Sequence, residues 1–232
     1  MKGQRFLNRM EAGQLLAKKL KAYANRGDVL VLALPRGGVP VAFEVARALH
    51  APLDVMIVRK LGVPGQEELA MGAIASGGVR VLNEDVVQML ALPEEVVNKV
   101  AAHEQRELER REHLYRGNWP AYDIHDRIVI LVDDGIATGA TMRAAASAVR
   151  KQHPARIIIA VPVAAYETSR EFTAEVDEVV CVSIPEAFLA VGFWYEHFDQ
   201  TSDEEVRQLL ERARREQHPV VLQNSSYDRT EN

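Results

Sequence analysis

Asp133 and Asp134 stand side by side at the end of an apolar run, residues 128–132, and seven uncharged residues of Gly, Ile, Ala and Thr follow them in the stretch ILVDDGIATGATM. Ionised carboxylates only accept hydrogen bonds, so an adjacent pair suits a ligand rich in hydroxyls. The residues after the pair have the opposite character. Where 138–141 opens a helix, its backbone N–H groups lack intrahelical partners and the helix dipole adds partial positive charge, so an anion is favoured there. Gly139 lets the backbone come close, and Thr138 and Thr141 add hydroxyl donors. A ribose 5-phosphate satisfies both halves, with its phosphate on the turn and its 2- and 3-hydroxyls on Asp133 and Asp134. No Lys follows Gly139 and no G-x-G-x-x-G occurs, so neither the nucleotide-triphosphate loop nor the dinucleotide fingerprint describes the stretch.

Two other segments offer positive charge beside apolar runs. Pro35, Arg36, Gly37 and Gly38 follow the run 29–34, and Arg59 and Lys60 follow the run 53–58. The two glycines permit unusual backbone angles, and consecutive N–H groups there can form an anion nest to which Arg36 adds charge. Taken alone, this segment also reads as an ordinary tight turn, and basic residues such as Arg59 and Lys60 are common at strand ends.

The elements that must position these groups follow from periodicity. A helical face recurs over 9–25, with Asn8 as its cap, and further helices are expected over 39–50, 93–116, 140–152, 166–174 and 202–216, the last capped by Ser202. Apolar strands are expected over 29–34, 53–58, 124–132, 157–163 and 178–184, and Arg59 and Lys60 then open a loop. Residues 69–82 suggest a small hairpin around Ser76, Gly77 and Gly78. Apolar strands alternating with helices imply an α/β fold with a mainly parallel central sheet covered by helices on both faces. Ligands of such sheets bind at the carboxyl ends of the strands, where all three polar segments fall.

Composition narrows the function classes. The 232 residues suit one domain, and 47% hydrophobic residues allow a substantial core. A net charge of −5 gives no basic excess for a nucleic-acid backbone, so no nucleic-acid partner is expected. No long apolar stretch marks a membrane span or a leader, and a lone cysteine, Cys181 in an apolar strand, fits a reducing compartment; the cytoplasm is the expected location. The helix over 93–116 has a thin apolar stripe (Val97, Ala101, Leu108, Tyr115) and alternating charges, which reads as an exposed helix laced with ion pairs. His103 and Glu104 lack the second His of a zinc-protease helix, so no protein-held metal is expected.

ILVDDGIATGATM resembles the phosphoribosyl-diphosphate (PRPP) binding motif of the type I phosphoribosyltransferases. LPRGGVP resembles their pyrophosphate loop, 59–75 stands where they carry a flexible catalytic loop, and IPEAFLAVGFWYEHF resembles the hood of the 6-oxopurine enzymes. The resemblance covers about 25–200. It implies one domain over 1–216, with a core of about 25–183, a loop and helical insertion within 60–120 and a hood over 184–200; the polar composition of 217–232 reads as a loose tail.

By the same resemblance, Asp133 and Asp134 hold the ribose hydroxyls, and Gly135 joins them to the 5-phosphate cradle of Ala137, Thr138, Gly139, Ala140 and Thr141. Arg36, Gly37 and Gly38 line the pyrophosphate pocket, which Arg59 and Lys60 can also reach. Phe188 or Trp194 stacks on the acceptor, core packing being the competing role for each ring. The implied activity is transfer of the phosphoribosyl group from PRPP to a nitrogen acceptor such as a nucleobase, as in purine salvage, with release of pyrophosphate. Mg²⁺ comes mainly with the substrate, and family members often form homodimers.

One departure stands out. Ala137 occupies the place of the Asp that serves the purine in 6-oxopurine enzymes; adenine-type enzymes also have Ala there and use a loop glutamate, for which Glu67 and Glu68 are the nearest substitutes. The acceptor therefore stays open. Two other readings compete with transfer: a PRPP-binding regulator without catalysis, and a PRPP-forming kinase, for whose second domain the chain leaves little room.

Overall fold

The structure is a computed structural model that describes residues 5–217. Its strands in chain order are β1 (Val29–Ala33), β2 (Leu53–Val55), β3 (Val58–Val63), β4 (Gln66–Ala75), β5 (Val79–Leu82), β6 (Ile128–Val132), β7 (Arg156–Val163) and β8 (Glu178–Ser183). Its helices are α1 (Arg9–Lys19), α2 (Gly38–Leu49), α3 (Glu84–Met89), α4 (Glu94–Arg116), α5 (Ala140–Arg150), α6 (Tyr166–Glu175) and α7 (Asp203–Gln217). Five strands form a parallel sheet in the order β2-β1-β6-β7-β8, and β3, β4 and β5 form a separate antiparallel sheet.

The parallel sheet is buried on both faces, so its strands read as continuous apolar runs rather than alternating ones. Side chains of a strand alternate sides. Val29, Val31 and Ala33 accordingly join Ile128, Ile130 and Val132 against α1, α2 and α7, with Leu16, Phe43 and Leu210 among their neighbours. Leu30, Leu32, Val129 and Leu131 pack on the other face against α5 and α6, with Met142, Val149 and Phe172. Asn8 Oδ1 accepts from the Glu11 N–H at 3.0 Å and Ser202 Oγ from the Glu205 N–H at 3.1 Å, so both expected caps hold their helices. Cys181 is half-buried in β8, and burial pushes its thiol up to about 11, away from the reactive thiolate.

Two sequence expectations need correction. The run 53–58 is not one strand: β2 ends at Val55. The Met56 N–H still donates to Ala33 O at 2.9 Å, whereas Ile57 already exchanges hydrogen bonds with Ser76, so the chain changes sheets within two residues. Arg59 and Lys60 do not open a loop either. They lie inside β3, paired with Ile74 and Ala73 of β4. The segment 59–75 is thus largely a hairpin, turning at Pro64 and Gly65, where Gly65 has φ +79°. Gly and Pro punctuation imitates a loop, while the ladder is supplied by a partner strand that local pattern does not reveal. The hairpin around Ser76, Gly77 and Gly78 does form, with both glycines at positive φ.

Helix α4 buries the narrow stripe expected of it and lies along β3 and α7. Its last residue fixes its position. Buried Arg116 donates from Nε to Asp54 Oδ1 of β2 at 2.8 Å, from Nη2 to Val55 O at 2.8 Å and from Nη1 to Glu112 Oε1 at 2.7 Å. The tail expected beyond Gln217 lies outside the described residues.

Candidate active site

The ends of β1 and β6 lie against each other because the two strands are neighbours in the sheet. The Leu34 N–H donates to Val132 O at 2.8 Å, and the chain then turns through 35–38, with a cis peptide between Pro35 and Arg36. A methyl group at Gly37 would stand 2.1 Å from Asp134 Oδ2, and one at Gly38 would stand 2.7 Å from Val132 O. No side chain fits at either position, so the backbone of this turn lies directly on the acidic pair.

Burial raises the Asp133 carboxyl well above the usual carboxylate range, and the adjacent Asp134 charge adds to that rise. Its Oδ1 accepts from the Asp134 N–H at 2.8 Å. Burial raises Asp134 as well, but Arg9 opposes the shift. Arg9 is the first residue of α1, and its Nε and Nη2 both lie 2.9 Å from Asp134 Oδ2. The same guanidinium donates to Asp199 O at 2.7 Å and lies 3.9 Å from the centre of the Phe198 ring. Buried Tyr195 completes the surround, donating its hydroxyl to Asp134 O at 2.6 Å.

Arg9→Ala therefore leaves a recessed charge without its partner. The expected results are a stability loss of about 3 kcal/mol, measured by denaturant unfolding, and a further rise of the Asp134 carboxyl that moves the acid limb of ligand binding to higher pH.

Beyond the pair, the turn 135–139 is held from below. The Ile136 N–H donates to Val163 O at 2.9 Å, and Thr168 Oγ1 donates to Ala137 O at 2.7 Å. Gly139 caps α5 in a left-handed conformation, φ +75°. A methyl group there would stand 2.7 Å from Phe172 Cε2 and 2.8 Å from Thr168 Cγ2. The N–H groups of Ala137, Thr138, Gly139, Ala140 and Thr141 donate to no acceptor among the described residues. Ala137, Thr138, Ala140 and Thr141 are exposed. The arrangement is an open run of amide donors at the start of an 11-residue helix, beside two recessed carboxylates.

The remaining expected residues divide. Neighbours in a strand point to opposite faces. Arg59 faces α4 and holds Glu104, its Nε and Nη2 at 2.7 and 2.6 Å from Glu104 Oε2. Lys60 faces α5 instead, 3.3 Å from Glu68 Oε2, and lines a cavity of about 560 Å³ with Ala140 and Thr141. The two do not share one target in this conformation. Arg36 turns toward α4 and α7. Glu67 and Glu68 lie exposed on the hairpin.

The hood segment carries a short 3-10 turn, Val191–Trp194, that sits on the acidic turn: a methyl group at Gly135 would stand 2.6 Å from Val191 Cγ1. Phe188 and Trp194 are partly buried and pack against the cluster of Phe6, Ala12, Val163 and Tyr195, which is the packing role weighed against stacking. Phe193 is the more exposed of the two exposed phenylalanines of this segment, at 62% against 37% for Phe198. Arg9 and Tyr195 escaped the sequence reading. Arg9 sits some 125 positions from its partner, and nothing local in the sequence sets Tyr195 apart from its aromatic neighbours Phe193, Trp194 and Phe198.

Residues 7–193 match the model of the phosphoribosyl transferase domain. The chain belongs to this family. The match begins before α1 and so takes in Arg9 as well as the acidic pair. Over 211 residues the chain is 47% identical to a protein of Mycobacterium tuberculosis named "Putative phosphoribosyl transferase Rv0571c", an alignment covering 91% of this chain and 47% of that protein. The chain thus spans about half the length of the curated relatives it matches. The crystal structure of TT1426 from Thermus thermophilus superposes with a TM-score of 0.80 at 42% identity, covering 89% of this chain and 98% of that one. Family and fold agree with the α/β architecture read from the sequence. Among the described residues no helix is long and apolar enough to cross a membrane, and no cluster of three or more His, Cys, Asp or Glu is placed to hold a metal ion.

Proposed function

We propose that this member of the family transfers the 5-phosphoribosyl group of PRPP to a nitrogen acceptor, a nucleobase or a similar ring, and releases pyrophosphate. The observation that carries the reading is the direct succession of two recessed carboxylates and a run of amides without protein acceptors. Asp133 and Asp134 hold the ribose 2- and 3-hydroxyls, and 137–141 hold the 5-phosphate. The C1–O bond breaks with its electron pair leaving on pyrophosphate, and the acceptor nitrogen forms the new bond to C1. Arg36 neutralises the leaving anion, and the ordered turn positions the sugar so that little reorganisation is needed.

Mg²⁺ keeps several waters and needs only one or two carboxylates beside substrate phosphates, so the acidic pair fits it without a dedicated cage. When bound, it would supply charge neutralisation on the pyrophosphate. Half-buried Cys181, the only cysteine, suits a protein of the reducing cytoplasm. Exposed Ala137 offers no acid or base to the acceptor, so proton transfer falls to the acceptor itself or to a glutamate of the β3–β4 hairpin.

The test is a panel of nucleobases and simple nitrogen acceptors incubated with PRPP and Mg²⁺, read by pyrophosphate release. Release with at least one acceptor is expected. Tight PRPP binding without release from any acceptor would replace the transferase with a PRPP-sensing protein.

A further inference from the structure

Arg36 does not face the acidic pair. Its Nη1 lies 3.7 Å from Asp203 Oδ1 at the start of α7, and it shares a cavity of about 150 Å³ with Arg110, Arg111, Tyr115 and Asp203. Every lining residue carries a charge or a hydroxyl, and three are arginines. The cavity opens beside the turn 35–38, whose glycines lie on Asp133 and Asp134. Arg36 thus joins the cavity to the same turn whose glycines touch the carboxylates.

The balance of charge in this cavity is internal. Glu107 accepts from Arg110 Nε at 2.8 Å and from Arg111 Nε at 2.8 Å, which holds the two guanidinium groups on the same side of α4. Asp203 accepts from the Tyr115 hydroxyl at 2.6 Å, which keeps its carboxylate within reach of Arg36. Burial and this bond push the Tyr115 phenol up to about 12, so it stays a donor. Asp203 thus stands where an incoming anion would find Arg36, while Arg110 and Arg111 wait behind Glu107 with donors to spare. A guanidinium has five N–H donors, and one carboxylate does not saturate two of them.

We propose that α4 completes the anion site of the 35–38 turn: Arg110 and Arg111 join Arg36 in binding the diphosphate group of the substrate, and Asp203 is the internal anion that this group displaces. The assignment rests on the reading of PRPP as substrate and goes beyond it, because it gives the helical insertion a part in binding. It also explains why Arg116 is anchored so firmly at the end of α4, about one and a half turns beyond Arg111: a fixed helix holds the arginines at the mouth of the turn. Arg110 and Arg111 are the groups that hold the ligand in this proposal, and Asp203 is a gate whose removal helps the ligand.

Calorimetric titration of the full chain with three probes tests it: PRPP with Mg²⁺, inorganic diphosphate with Mg²⁺, and ribose 5-phosphate, which lacks the diphosphate. Arg110→Ala/Arg111→Ala removes two exposed or half-exposed side chains and should fold; it is expected to weaken PRPP and diphosphate about tenfold or more, with ribose 5-phosphate unchanged. Asp203→Asn keeps an acceptor for Tyr115 and is expected to tighten PRPP and diphosphate several-fold, with a larger salt dependence of binding. Unchanged PRPP affinity in the double alanine chain, with ribose 5-phosphate still bound, overturns the role of α4 and leaves the sugar-phosphate site standing. Failure of ribose 5-phosphate to bind the unaltered chain would instead overturn the substrate reading on which the proposal rests.

Discussion

Asp133→Asn combined with Asp134→Asn lowers the affinity for PRPP by at least about a hundredfold, because two hydrogen bonds to charged acceptors contribute about 1.5–3 kcal/mol each. An amide carries no charge and offers one acceptor oxygen where the carboxylate offers two, so it loses the charge-assisted part of each bond and one acceptor site for the sugar hydroxyls. The loss should appear as heat of binding in a PRPP titration, and an affinity within threefold of the unaltered chain would remove the carboxylates from the site.

Stability should move the other way for Asp133→Asn alone. Burial and Asp134 hold the Asp133 carboxyl above its unfolded value, so between those two values the native chain carries more protons than the unfolded one. Stability therefore falls as pH climbs through that window, and the loss is complete above the folded value. The amide cannot titrate. Its melting temperature should vary less with pH from the ordinary carboxylate range upward, and it should exceed that of the unaltered chain on the alkaline side. Asp134 is a different case, since its charge answers Arg9. Opposite signs for binding and stability at Asp133 would mark a carboxylate kept in an unfavourable place for a ligand.

Gly139→Ala carries the second large effect, on the phosphate end of the same site. At φ +75° an alanine costs about 1–2 kcal/mol in the left-handed region alone. The new methyl group also meets Phe172 Cε2 and Thr168 Cγ2 well inside contact distance, which adds about 1–3 kcal/mol of overpacking. The backbone must shift, and the N–H groups of 138–141 turn away from a common focus. Ribose 5-phosphate binding should fall by about tenfold to a hundredfold, as expected when several charge-assisted hydrogen bonds lose alignment. Adding Phe172→Leu makes room and should return part of the stability, leaving the φ penalty. Full ribose 5-phosphate affinity in a folded Gly139→Ala chain would mean that the amide run is not the phosphate cradle.

The parallel sheet was legible in the sequence because burial on both faces writes it as unbroken apolar runs, and the acidic pair because nothing else explains charge at the end of such a run. Helix caps at Asn8 and Ser202 were legible for the same local reason. The hairpin of β3 and β4 was not, since Arg59, Lys60, Gly62 and Pro64 read as a loop until a partner strand supplies their hydrogen bonds. Arg9 was hidden by distance along the chain: a basic residue at the start of a helix is ordinary until folding lays it on Asp134. The direction of Arg36 was equally hidden, because only the packing of α4 and α7 decides which side of the turn it faces.

The Arg116–Asp54 pair ties the insertion to the large sheet in a way that limits its evolutionary exchange. A segment grafted in place of 58–116 without that arginine would leave buried Asp54 with only the more distant Arg214, 3.9 Å away, as counter-charge, at a cost of about 3 kcal/mol. The two sheets are thus one cooperative unit rather than a scaffold with a removable cassette, and a loop library built on this chain has to begin inside the hairpin tip, not at its base.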